Sequence, residues 1–91
     1  MRARIMEMFK QFPNLSQVSG WHLRVEDTVV NNTKFQPIIV VQTASEIVKV
    51  GNGYDLDFEN DDYLVVSGRT SDGYGHIATI PYANILFVES L

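Results

Sequence analysis

Ninety-one residues hold one domain and leave no room for a second core. With 45% hydrophobic and 20% charged residues the chain is globular, and the absence of cysteine excludes disulfides and thiolate metal centres. The net charge of −4 is unevenly spread, because Asp55, Asp57, Glu59, Asp61 and Asp62 crowd into one short stretch and the remainder is nearly neutral; no broad basic face for nucleic acid is evident.

Arg2, Arg4, Glu7 and Lys10 break any signal-peptide core, and no run approaches the ~20 apolar residues of a membrane span, so the expectation is a cytoplasmic chain. A chain this short buries only roughly 60–65% of its unfolded surface, which makes oligomerisation a natural source of added stability.

The first element is a helix over residues 2–12. Ile5, Met8, Phe9 and Phe12 form one apolar stripe at helical spacing, with Arg4, Glu7, Lys10 and Gln11 on the wet side, and Pro13 stops it. The stripe suits a helix that caps the open end of a barrel, or one that meets a partner or a membrane surface; capping is preferred.

From Gly20 the period changes to two. Trp21, Leu23 and Val25 alternate with polar residues, and Asn31-Asn32 supplies a turn that would set Val25 opposite Ile38 and Leu23 opposite Val40. Residues 38–41 are apolar on both faces, as a central strand should be. Ser45 to Val50 leads into Gly51-Asn52-Gly53, where a three-residue loop pairs Val48 with Leu56 and Lys49 with Asp55, with Gly53 supplying a positive φ. Asn60-Asp61-Asp62 turns into a strand from Tyr63 to Thr70, and Asp72-Gly73 forms a hairpin aligning Arg69 with His76 and Gly68 with Ile77. Gly68 inside a strand marks a bend, a bulge or a close backbone approach. Pro81-Tyr82-Ala83-Asn84 is a tight turn before a last strand, Ile85 to Val88. The expected core comprises Trp21, Leu23, Val25, Ile38, Val40, Leu64, Val66, Ile77, Ile85 and Phe87.

Five to seven short strands after one helix describe a mainly β fold, a small closed barrel spanning residues 1–91 with strands from about 20 to 89. The stretch from Gly73 to Val88 resembles the end of SH3-like barrels, where a strand enters a proline-containing 3₁₀ turn and then a last short strand. The helix before a bent sheet is similar to the Sm-like (LSm) branch, and Val66-Ser67-Gly68-Arg69 resembles its second motif. This resemblance implies a homo-oligomer, a ring in which the last strand of one copy pairs with a strand of the next. Tyr63, Val65, Leu86 and Val88 are the candidate interface. It further implies single-stranded RNA as a ligand, with Gly68, Arg69, His76 and Tyr82 as candidate contacts and Tyr63 and Tyr74 as further stacking surfaces. The alternative is an SH3-like structural protein-interaction domain with no nucleic-acid ligand.

Catalytic signatures are missing. Ser67, Thr70 and Ser71 lack an activating motif, Gly73-Tyr74-Gly75 is a turn and not a phosphate loop, and the expectation is a non-enzymatic module without a cofactor. His76 across from Arg69 near Asp72 could form an acid–base pair, but a polar contact at a hairpin tip suits the pattern better. A calcium loop beginning at Asp55 fails, because its sixth and twelfth positions hold Asn60 and Val66. The acidic stretch therefore reads as a solvated strand edge, and no metal site is expected.

Overall fold

In this computed structural model, residues 2–10, 15–19, 22–25, 37–51 and 53–90 are described. The chain opens with α1 (Arg2–Lys10), followed by eight strands: β1 (Leu15–Ser19), β2 (His22–Val25), β3 (Pro37–Thr43), β4 (Ile47–Gly51), β5 (Asp55–Asp57), β6 (Tyr63–Thr70), β7 (Gly73–Pro81) and β8 (Ile85–Ser90). A 3₁₀ turn at Tyr82–Asn84 joins β7 to β8. The fold is mainly β, in two antiparallel sheets ordered β1-β2-β5-β6-β7 and β4-β3-β8. Strand structure thus begins at Leu15, ahead of Gly20. The expected helix residues 11 and 12, the stop at Pro13, the Asn31-Asn32 turn and the side chains of Phe9, Trp21, Val25 and Ile38 lie outside the described residues.

Two expected pairings are replaced. Leu23 pairs with Leu56 on β5 and Gln17 on β1, and not with Val40. Likewise Val48 pairs with Val41 on β3, and Lys49 with Val40, so no hairpin joins β4 to β5. The chain instead passes from one sheet to the other there. Tyr54 N–H bonds to the Gly51 carbonyl at 3.3 Å, and Gly53, with φ 80°, supplies the positive dihedral expected of it. With its partner changed, β3 also presents the opposite face: Val41 is buried and Val40 only half-buried.

One core lies between the sheets. Val41, Val48, Val50 and Ile85 contribute from the three-stranded sheet; Leu23, Leu56, Leu64, Val66, Ala78 and Ile80 come from the five-stranded one. Phe58 and Tyr82 join this core, and α1 adds Ile5, with Met6 packed alongside. The helix is held by Arg2, whose Nε and Nη2 donate to the Phe58 carbonyl at 2.8 and 2.5 Å and whose Nη1 lies 3.2 Å from Asp61 Oδ1. Of the expected apolar stripe, Ile5 thus packs into the core and Met8 is half-buried.

The β6–β7 hairpin and the 3₁₀ turn fall where turn chemistry placed them, with two shifts. The two hairpin residues are Ser71-Asp72, with Thr70 opposite Gly73 at φ 117°, so Arg69 faces Tyr74 and Gly68 faces Gly75. Ile77 is then passed over between Ser67↔His76 and Val66↔Ala78, a β-bulge. A second irregularity skips Leu86 between Thr43↔Ile85 and Gln42↔Phe87. It breaks the period-two alternation of β8, so Phe87, expected in the core, is exposed, while Val88 packs against it.

Tyr82 is only 5% exposed, and its phenol pKa is pushed up to about 12. Burial is the main cause, and the Arg2 guanidinium beside the phenol partly opposes the rise. A raised folded-state pKa keeps the phenol neutral, so its stabilising effect is complete below pH 10 and is lost as pH climbs from 10 towards 12. Alkaline unfolding over that window should cost up to about 3 kcal/mol from this group. In Tyr82→Phe that share of the pH dependence disappears, which urea melts at pH 9 to 12, approximate limits bracketing the transition, would register.

Candidate functional site

The outer face of the five-stranded sheet is polar because each strand alternates. Leu23, Leu56, Leu64 and Val66 point inward, which leaves His22, Arg24, Asp55, Asp57, Val65, Ser67 and Arg69 facing out. Pairing sets these side chains in rows: Arg24 beside Asp55 beside Ser67 beside His76, and His22 beside Asp57 beside Val65 beside Thr79.

At one end of this face Arg24, Gly53, Arg69, Thr70, Gly73 and Tyr74 line an open groove of about 380 Å³. Tyr74, 57% exposed, donates its hydroxyl proton to Asp55 Oδ2, and Arg24 Nη1 lies 3.9 Å from Asp55 Oδ1. One carboxylate thus ties the Tyr74 ring, which stands opposite Arg69 in the β6–β7 ladder, to the neighbourhood of Arg24. Such an arrangement can stack a planar group and neutralise an anion beside it.

Of the four expected RNA contacts, the fold brings Arg69 and His76 to this face. His76 Nε2 lies 2.8 Å from Thr79 Oγ1 and stands across from Ser67, so the pairing with Arg69 is replaced. Gly68 and Tyr82 are buried and serve the core. Arg24 and Asp55 were overlooked as groove residues because β2 and β5 are adjacent only in the folded chain. The alternation of Arg24 with Leu23 is the one signal that marked it as outward-facing.

The sheet edges form a second site. On β6, Val65 to Ser67 are paired with β5 on one side and β7 on the other, so the middle of the strand expected to receive a neighbour is occupied, while Tyr63 pairs with Pro81 of β7. Among the described residues, β7 and β8 each have a strand on one side only. Leu86 is 61% and Phe87 47% exposed on β8, and with Arg4, Ile5, Met8, Ile85 and Val88 they line a shallow groove of about 180 Å³ against α1. Of the expected interface residues, Leu86 is thus on the open edge and Val88 is turned inward.

Among the described residues no helix is long and apolar enough to cross a membrane. No family model, no curated protein and no solved structure matches this chain.

Proposed function

We propose that the chain is a non-enzymatic assembly module, an Sm-like barrel of the wider SH3-like class, that joins copies of itself head to tail. The observation that carries this reading is the exposed Leu86-Phe87 pair on β8, an open edge strand, with β7 offering a second open edge. An apolar edge with free N–H and C=O groups gains by pairing with another strand, and left bare it invites aggregation. Because β7 and β8 are different strands, pairing one with the other between copies is heterologous, and repetition closes a ring where the rotation permits. The barrel reading is supported by two crossings between the sheets: the chain passes from β4 to β5, and through the 3₁₀ turn from β7 to β8.

Size-exclusion chromatography with light scattering tests it. The expected result is a particle several times the 10.3 kDa of one chain, reduced to a monomer by Leu86→Asp with Phe87→Asp. A monomer for the unaltered chain at micromolar concentration would sink the proposal.

The groove of Arg24, Arg69 and Tyr74 supports single-stranded RNA as the ligand of such an assembly, since it joins a stacking surface to two cations. Fluorescence anisotropy with short U-rich and A-rich RNAs at low salt is the measurement, and Arg69→Glu should abolish binding. Absence of binding leaves the structural protein-interaction reading.

A further inference from the structure

We propose that His22, Asp57 and Glu59 form a binding site for a divalent transition-metal ion, Zn²⁺ foremost, which clamps β2 to β5 within the five-stranded sheet. His22 and Asp57 are directly opposed in the β2–β5 ladder, and Glu59 lies two residues beyond on the same chain segment. One ligand atom from each lies within 4.8 Å of the other two, and His22 Nε2 is 3.9 Å from Asp57 Oδ2. Tetrahedral ligands at about 2.0–2.2 Å from a common ion stand about 3.3–3.6 Å apart, so the His22–Asp57 pair needs to close by only a few tenths of an ångström and the Glu59 side chain by up to about 1.5 Å, within reach of a rotamer change.

The Asp57 carboxylate is already oriented for this. Its Oδ1 accepts the Glu59 backbone N–H at 2.8 Å, which leaves Oδ2 turned towards the imidazole. A ligating carboxylate fixed by a hydrogen bond to its other oxygen is the kind of support that metal centres use. An open groove of about 460 Å³, lined by Asp57, Glu59, Asn60, Tyr63 and Val65, provides room for waters to complete the coordination.

The donor set selects the ion. One imidazole nitrogen with two carboxylates suits zinc or a neighbouring transition metal, whereas calcium and magnesium favour all-oxygen shells with more ligands. Two carboxylates facing one imidazole also leave a negative site, which a dication neutralises. Its structural effect follows from the elements it bridges: β2 meets β5 over only three residue pairs, and a metal bond across that ladder adds a strong tie to a short one.

Calorimetric titration of the full chain with ZnCl₂, alongside MgCl₂ and CaCl₂, tests the site, with thermal unfolding in the same salts as the second readout. The expected result is saturable one-site Zn²⁺ binding and an unfolding midpoint that rises with Zn²⁺ but not with the other two ions. His22→Ala and Glu59→Gln should each weaken the binding by at least about tenfold, while His76→Ala, the control for the other histidine, leaves it unchanged. Should His22→Ala not fold, Glu59→Gln at an exposed position decides the matter. Absence of saturable Zn²⁺ binding, or binding that survives Glu59→Gln or is lost with His76→Ala, would overturn the proposal.

Discussion

Phe58→Ala should cost the fold about 3–5 kcal/mol, the largest loss expected from any single truncation considered. Phe58 is fully enclosed and is the largest such side chain among the described residues. It follows directly on β5, where β5, the Asn60–Asp62 turn and α1 converge, and its carbonyl receives two bonds from Arg2. Removing the ring leaves a cavity under the contact that holds the helix, so the surroundings cannot collapse into it without releasing Arg2. Against a total of about 5–10 kcal/mol for a domain of this size, the variant should be close to unfolding at 37 °C, an approximate working temperature, with a midpoint lowered by roughly 15–30 °C. Phe58→Leu keeps most of the volume and should lose about 1 kcal/mol. Urea melts at one protein concentration, compared at constant slope, give both values. A loss below about 1 kcal/mol for the alanine variant would show that the site is not closed.

Gly68→Ala is expected to destabilise, and its sign is informative because strand propensity alone argues the other way. A Cβ at position 68 would stand 2.8 Å from Tyr54 Cδ1 and 3.0 Å from Ile77 Cδ1. The bulge places Ile77 there, and the crossing at residues 51–54 places Tyr54 there, so two features far apart in sequence fill the space. Forcing the ring aside should cost about 1–3 kcal/mol. Gly75 pairs directly with Gly68 but has nothing within 4 Å of its own Cβ position, so Gly75→Ala is the control and should be neutral or stabilising. In a Tyr54→Ala background most of the cost of Gly68→Ala should vanish, with a coupling of about 1–2 kcal/mol in a double-mutant cycle. Additivity in that cycle would mean that Tyr54 does not hold the space. The same packing explains why Gly68 serves the core.

The outcome at Gly68 separates what was legible locally from what was not. A glycine in an otherwise apolar strand pointed to a close approach, but only the fold reveals that Tyr54 and Ile77 make it. The β6–β7 hairpin, the Asn60–Asp62 turn, the 3₁₀ turn after Pro81 and the helix with its buried Ile5 were all readable from the chain. Each depends on turn chemistry or periodicity within about ten residues, and there the sequence is its own context. Strand partnership was not readable in this way. Residues 22–25 and 47–50 carry apolar side chains at alternate positions and residues 38–41 at every one, so local patterning admits several pairings of nearly equal quality, and filling one core between two sheets selects among them. Hence β2 lies against β5, β4 against β3, and the inward phase of β3 is reversed. A bulge has the same effect at closer range: skipping Leu86 turns Phe87 outward, which no count of alternating residues anticipates. His22, Asp57 and Glu59, and likewise Arg24 with Tyr74, meet only because of that long-range pairing. Sequence alone determined a mainly β chain with its helix and its turns; the tertiary structure decided which side chains share a site, because a ladder joins residues that no local spacing relates.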